Sequence, residues 1–394
     1  MPLRETLPNS WDHIQGFPFP MLRAEVGPLT ASHERLVVVL EVARIEAFVQ
    51  MWPGLPGRPP KDRHALARAF VAKAVLDLPT TAGLIERLAV DTTLRRLCGY
   101  ERVSEIPSEG TFSRSFAEFA DSSLPSRVHE ALIKKAYAGC IVGHIARDAT
   151  AIPAREAPVR AVPVAPETPK RKRGRPKKGC VVAPKEPRRL ERQVGQTLTE
   201  MLAELPNHCN VGTSCRRRAA PRRGTPKATR PAGSVINPAA QCAPVHIDTA
   251  DGDVPISCLL TSASVHDSQV ALPLAAITAA RVTNLYDLMD SAYDVQEIHD
   301  KSRALGHVPI IDHKTRRGEK AAIEIESRAQ RTAGYVLAED VRYRQRSSAE
   351  RVNANLKDNC GGNHVRVRGP AKVFCHLMFG ILVVAVEQIM RLVT

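Results

Sequence analysis

The chain has 394 residues, enough for two or three ordinary domains, and 43% of them are hydrophobic, so a sizeable core can form. Lys and Arg number 56 against 41 Asp and Glu, giving a net charge of +15 and a pI near 9.6. That balance points to a polyanionic partner, nucleic acid first; an anionic membrane surface is disfavoured because no basic amphipathic helix stands out. The nine cysteines are scattered and form no CxxC pair, which argues against a zinc site or a disulfide framework and for a reducing cytosol. Met1 to Glu5 lack the apolar stretch of a signal peptide.

Residues 1–35 are poorly periodic, and from Leu36 to about Ala120 the pattern is helical. Leu66, Ala69, Phe70 and Ala74 recur at helical spacing, as do Leu84, Leu88, Leu94 and Leu97. Pro107-Ser108-Glu109 opens a further helix with Phe112, Phe116 and Phe119 on one face. Residues 1–135 are thus expected to form a helical domain for DNA binding or dimerisation, with no base-reading residue identifiable. Val142 to Ile152 then reads as a strand carrying Asp148, within a first-strand segment 140–154.

Residues 155–243 form a long polar insert, expected to be a disordered linker apart from a helical stretch at Leu190 to Leu205. Lys170, Arg171, Arg173, Arg175 and Lys177 lie in a dense cationic run. Its Arg-Gly-Arg-Pro core resembles an AT-hook, although phosphate neutralisation without sequence preference is the simpler use. Ordered pattern resumes in segment 244–394. Val245–Thr249 and Val254–Thr261 read as strands joined by the Asp251-Gly252-Asp253 turn. Pro244 removes a ladder donor, so this first strand is expected to begin late or to lie on an edge. Gln269–Ala280 reads as a helix, Leu285–Met289 as a strand ending at Asp290, Val295–Leu305 as a helix and Val308–Ile311 as a strand. Ser347–Lys357 reads as a helix started by Ser348, and the apolar stretch Val373 to Val393, broken by His376, Glu387 and Gln388, as a buried helix. That order of elements is the α/β order of an RNase H-like domain interrupted after its first strand.

Three carboxylates fall where such a sheet can use them: Asp148 on the first strand, Asp290 at a strand end and Glu350 on the late helix. Hard oxygen donors of this kind suit two Mg²⁺ or Mn²⁺ ions about 3.5–4 Å apart, clamping both oxygens of a phosphodiester. Asp248, Asp267, Asp287 and Asp294 compete for the role, and a lone Asp at a strand end is commonly a turn or cap residue. If the late segment is helical throughout, Tyr343, Arg346, Glu350 and Lys357 share an arc of roughly 60°. Ala349, Val352 and Leu356 face elsewhere and can pack on the sheet. The bland reading of the stripe is a solvated face with an ordinary Arg346–Glu350 pair.

The spacing Tyr343-x2-Arg346-x3-Glu350-x6-Lys357 resembles the Y-R-E-K signature of a large group of insertion-sequence DDE transposases. Asp290 to Asp294 resembles that family's second-aspartate motif, Ser264 to Ser268 its loop before the first helix of the catalytic domain, and residues 60–120 its N-terminal domain. The resemblance covers most of the chain except the basic insert. It implies that Asp148, Asp290 and Glu350 are the catalytic, metal-binding triad, and that Tyr343, Arg346 and Lys357 hold double-stranded DNA at the transposon end. It further implies metal-dependent hydrolysis at each end followed by strand transfer, carried out by a homodimer in a synaptic complex in the cytoplasm. A nuclease of the same fold without strand transfer, and an impaired DNA-binding copy, are the alternative readings.

Residues 214–244 depart from the family pattern. Ala243-Pro244-Val245-His246 stands where a Gly-Tyr-Lys-x-His element usually opens the strand, and the Arg, Pro, Ala and Gly content before it is that of a GC-rich gene read out of frame. Two compensating frameshifts bracketing this segment would account for it. A tolerated loop is the alternative. The frameshift reading expects one of the two other frames of the gene to encode a Gly-Tyr-Lys-like strand start; if neither does, the segment is native to the protein.

Overall fold

A computed structural model of the chain describes residues 13–50, 61–154, 186–207, 241–313 and 319–393. The cationic run at 170–178 and most of the segment 214–244 lie outside them.

The helical region is built from α1 (Pro18–Val26), α2 (Ala31–Ala43), α3 (Arg63–Val75), α4 (Thr81–Val90), α5 (Thr92–Leu97), α6 (Glu109–Asp121) and α7 (Leu124–Ala136). Its helix starts are those that short polar side chains dictate. Thr30, Asp62, Thr80 and Asp91 each accept a hydrogen bond from a backbone N–H of the first turn. Helix α3 is apolar nearly all round, with Leu66, Ala69, Phe70 and Val71 buried, which is the signature of a helix enclosed by others. The three phenylalanines of α6 surround Phe70, with ring centroids 5.0–6.1 Å away.

The α/β region comprises β1 (Ile141–Ala154), α8 (Arg189–Gln193), α9 (Leu198–Glu204), β2 (Gln241–Ala250), β3 (Val254–Leu260), α10 (Ala271–Ala279), β4 (Thr283–Met289), α11 (Gln296–Ala304), β5 (Val308–Ile311), α12 (Glu319–Ala333), α13 (Ala338–Tyr343), α14 (Ser347–Asn359) and α15 (Pro370–Arg391). The five strands are ordered β3-β2-β1-β4-β5. Strand β2 runs antiparallel to β1 and β3, whereas β1, β4 and β5 are parallel. The central strand β1 therefore has two neighbours that both come later in the chain. The turn between β2 and β3 is as short as the sequence implies, with Gly252 and Asp253 at φ of 75° and 62°.

Several expectations need correction. Strand β2 is interior, and it begins before Pro244, at Gln241. Pro244 pairs with Ala151 of β1 and its carbonyl accepts from the Thr261 N–H, so the missing proline donor falls at the last rung of the β2–β3 ladder, where it costs least. The expected helix at 190–205 is two short helices, α8 and α9, whose Leu190 and Met201 are buried with Leu272, Met289, Tyr293 and Ile298. Ser348 does not start α14, since no side chain caps that helix and the Ser348 hydroxyl is buried with no partner.

Helix α15 is the spine of the protein. By length and composition it could cross a membrane, with a mean hydropathy of 2.0, but 83% of the apolar window is buried inside the protein. It packs on β3 and on α2, α3, α6 and α7, and its Phe379 joins the phenylalanine cluster at 5.8 Å from Phe70. Gly380, in the middle of this helix, is required by close approach: a Cβ there would lie 2.4 Å from the Cys360 carbonyl oxygen.

Across the β1–β2 pair, Arg147 and Asp248 face each other in register and are 3% and 0% exposed in their side chains. Two parallel bonds of 2.8 and 2.7 Å join them, and the Thr278 hydroxyl of α10 donates a third to Asp248 at 2.6 Å. Removing one member leaves a buried charge alone, so Asp248→Ala should cost about 3–5 kcal/mol in urea denaturation. The double change Arg147→Met with Asp248→Leu should cost less than the single one, because both charges leave together.

Candidate active site

Alternation along a strand decides which face each carboxylate uses. Arg147 points toward α10, so Asp148 points to the opposite face, under α14. Ala146 of β1 is paired with Leu288 of β4, and both are buried against Ala349 of α14. Two residues further along these parallel strands come Asp148 and Asp290. Both therefore sit at the same end of the parallel pair, Asp148 still on β1 and Asp290 just past the end of β4. Asp290 also caps the following turn, accepting from the Ala292 N–H at 3.0 Å, so the cap and site readings of this residue coexist.

Helix α14 brings the third acid. Ala349, Val352 and Leu356 are at most 1% exposed and fasten the helix to the sheet, as its apolar face implies. Arg351 adds a two-pronged ion pair with Asp253 of the β2–β3 turn, both bonds 2.7 Å. The approach to α14 is not continuous helix: α13 ends at Tyr343, and Arg344–Arg346 form a turn of 3₁₀ helix before α14 begins at Ser347. The uninterrupted stripe from Tyr343 to Lys357 is thus broken at its start. Even so, the Arg346 guanidinium lies over the Tyr343 ring at 5.9 Å from its centroid. Arg346 bonds Glu350 at 2.6 Å and approaches Asp148 to 3.9 Å. Asn353, one turn on, donates to Asp148 at 3.0 Å. Sequence reasoning missed Asn353; its i+3 spacing from Glu350 was the available signal.

Burial pushes the Asp148 carboxyl above the usual carboxylate range, and the charges of Asp290 and Glu350 push the same way. The Ala149 N–H and Arg346 oppose them. Asp148 thus lies within electrostatic reach of both Asp290 and Glu350. Among the described residues, no three His, Cys, Asp or Glu side chains gather closely enough to hold a metal ion. Arg346 supplies the cationic charge between Asp148 and Glu350.

The competing acids separate by their partners. Asp287 is buried and saturated: Ser302 and His307 bind one oxygen and Asn284 the other, and His307, Arg147 and Ser302 outweigh burial to hold its pKa low. Asp248 is committed to Arg147, and Asp294 pairs with His299 and His313 at 3.2 and 3.4 Å. Asp267 is different. Burial and the charge of Asp290 raise its pKa, so it stands at the margin of the cluster. Beneath it lies Tyr293, fully buried, its hydroxyl without a partner and electrostatically coupled to Asp267, Asp148 and Asp290. Lys357 is half-buried two turns beyond Glu350 on α14. Lys170, Arg171, Arg173, Arg175 and Lys177 lie outside the described residues.

Two family models match the chain. Residues 245–385 match the Transposase DDE domain, and residues 29–118 match the Transposase domain (DUF772). Asp290 and Glu350 fall within the first match and Asp148 precedes it; the helical region accounts for the second. No curated protein and no solved structure matches. The two matches follow one another along the chain, and together they indicate a DDE transposase of insertion sequences. DNA is the substrate of that family, and its domains generally use divalent metals such as Mg²⁺.

A carboxyl whose pKa is raised on folding costs stability above that pKa and costs none below its unfolded value. Asp148→Asn removes the charge and keeps the acceptor for Asn353. The variant should therefore melt at a higher temperature than the native chain at pH 7, and the gain should vanish as the pH falls through the raised pKa. Equal melting of the two chains across the whole range would mean that Asp148 carries no such cost.

Proposed function

We propose that the protein cuts DNA at the ends of an insertion sequence and joins the freed ends to target DNA, as a transposase of the Y-R-E-K group with an RNase H-like catalytic domain. What supports this reading is that Asp148 of β1 and Asp290, just past the end of the neighbouring parallel strand β4, lie at the same end of that pair, with Glu350, whose partner Arg346 also approaches Asp148. The strand order β3-β2-β1-β4-β5, with β2 alone reversed, supports the RNase H-like assignment.

By chemistry the donors suit a hard divalent cation that would draw them together: a carboxylate on β1, one capping the turn after β4 and one on a packed helix. Asp148, Asp290 and Glu350 would hold it. Bound there, two such ions supply Lewis-acid charge to the scissile phosphodiester and lower the pKa of an attacking water. The chain's own residues do the positioning. Asn353 holds the Asp148 carboxylate in one orientation through its 3.0 Å bond. Arg346 neutralises the acids while the cation is absent, and a guanidinium released from Glu350 is well placed to bind a non-bridging phosphate oxygen two-pronged. The Tyr343 ring supports the guanidinium, and Lys357 can meet a phosphate further along the duplex. The cut 3′-hydroxyl is then held where it can attack a second phosphodiester. Because both ends must be held together, the working form is a homodimer on DNA.

Glu350 is 58% exposed in its side chain, so Glu350→Gln should leave the fold intact. With Mg²⁺ or Mn²⁺, the native chain should cleave DNA carrying element ends and join the products to a target, and the variant should be slower by roughly a thousandfold. Equal cleavage by both chains would sink the site assignment. Cleavage without joining would leave a nuclease, and DNA binding without cleavage by either chain an impaired copy.

A further inference from the structure

A cavity of about 450 Å³ opens between the helical region and the segment that links α14 to α15. Its walls combine Lys73 of α3, the Thr80–Thr81 start of α4, the Glu109 start of α6, Arg366 and Arg368 of the linking segment, and Lys372 in the first turn of α15. The phenylalanine cluster forms the floor. Four Lys or Arg side chains thus meet one carboxylate, Glu109, among the described lining residues. Three helices of ten residues or more begin at this cavity, so the positive ends of three helix dipoles add to the side-chain charge.

The interior is prepared for an anion in a second way. Lys73 is half-buried on the wall, where burial pulls its pKa to about 8 despite the nearby Asp77. His376 is enclosed behind it, lowered to about 4 by burial and by the charge of Lys73, and its Nε2 bonds the Gly361 carbonyl at 2.9 Å. An anion beside Lys73 favours its charged form and offsets the cost of its burial. Concentrating cations at a concave site without acids to match them costs stability, and an anionic ligand recovers that cost.

The location indicates which anion. Helix α14 runs from Glu350 in the acid cluster to the Cys360 lip of the cavity, roughly 15 Å of helix axis. A B-DNA strand places about four phosphates over that length at ~3.4 Å each. Lys357 lies between the two ends. Building on the transposase reading, we propose that this cavity is a phosphate-binding subsite for the DNA backbone, holding the duplex a few nucleotides from the phosphodiester that is cut. Arg366 and Arg368 close on the phosphate from outside, Lys73 and Lys372 from within. The subsite makes the helical region part of the grip on DNA through its core side, without any residue reading a base.

The test uses the full chain in the absence of divalent metal, so that only binding is read. Arg366 and Arg368 are both exposed, and their joint replacement by Ala leaves the core untouched. Affinity for a linear duplex is measured over a range of salt for the native chain, for Arg366→Ala with Arg368→Ala, and for Lys134→Ala with Lys135→Ala, a matched loss of charge outside the cavity. Each phosphate contact contributes about 0.9 to the slope of log affinity against log salt. The proposal expects the cavity variant to lose at least one such unit and to bind roughly tenfold more weakly, with the control close to native. An unchanged slope in the cavity variant, or an equal loss in the control, overturns the subsite while leaving the transposase reading in place. A native chain that binds no DNA overturns both. Millimolar inorganic phosphate that raises the melting temperature of the native chain alone, with the DNA slope unaltered in the variant, identifies a free phosphate ligand and also overturns the DNA assignment.

Discussion

The fold depends on one pairing made across a long gap in sequence, that of β1 with β2. Strand β1 is central, yet nothing beside it in the sheet is adjacent in the chain, and β2 arrives only after the insert. Bringing them together costs loop-closure entropy before any ladder forms. The Arg147–Asp248 pair, two bonds in register and fully enclosed, fixes which residue faces which. A slip of one residue would bury Asp148 toward α10 and turn Arg147 into the acid cluster. The pair therefore sets the register on which the site geometry rests, whatever its net contribution to stability.

On the other face of the same strand, charge is managed differently. The charges of Asp290 and Glu350 bear on Asp148, and the Arg346 guanidinium, bonded to Glu350, offsets them. Asp287, two residues before Met289 on β4, shows the contrast: it is saturated by Ser302, His307 and Asn284 and has no oxygen left for chemistry. Asp287 on β4 and Asp290 just past its end are thus told apart by what occupies their lone pairs.

Much of this was legible in the sequence, because local pattern and face alternation are local facts. The strand carrying Asp148, the strand ending at Asp290, the α14 helix and its buried Ala349, Val352 and Leu356 all follow from periodicity. Asp290 could be preferred over Asp287 by its place at the strand end, although the reason, the partners of Asp287, comes from residues distant in sequence. What was not legible depended on tertiary neighbours. Pro244 is tolerated in an interior strand because β3 runs out there. The turn at Arg344–Arg346 breaks a stripe that simple helical projection kept whole. The helical stretch at 190–205 was readable, but not its division into two helices whose Leu190 and Met201 pack with Leu272 and Tyr293. The cationic cavity joins residues near 73, 109 and 368, a set that no spacing rule connects.

The position of α15 bears on how the molecule is made. This helix supplies Phe379 to the phenylalanine cluster and the apolar backing for β3, yet it is the last described helix to be synthesised. Until residue 370 and beyond have left the ribosome, neither the helical region nor the sheet can close its core. A chain that stops before it therefore lacks the helix on which both the helical core and the sheet pack.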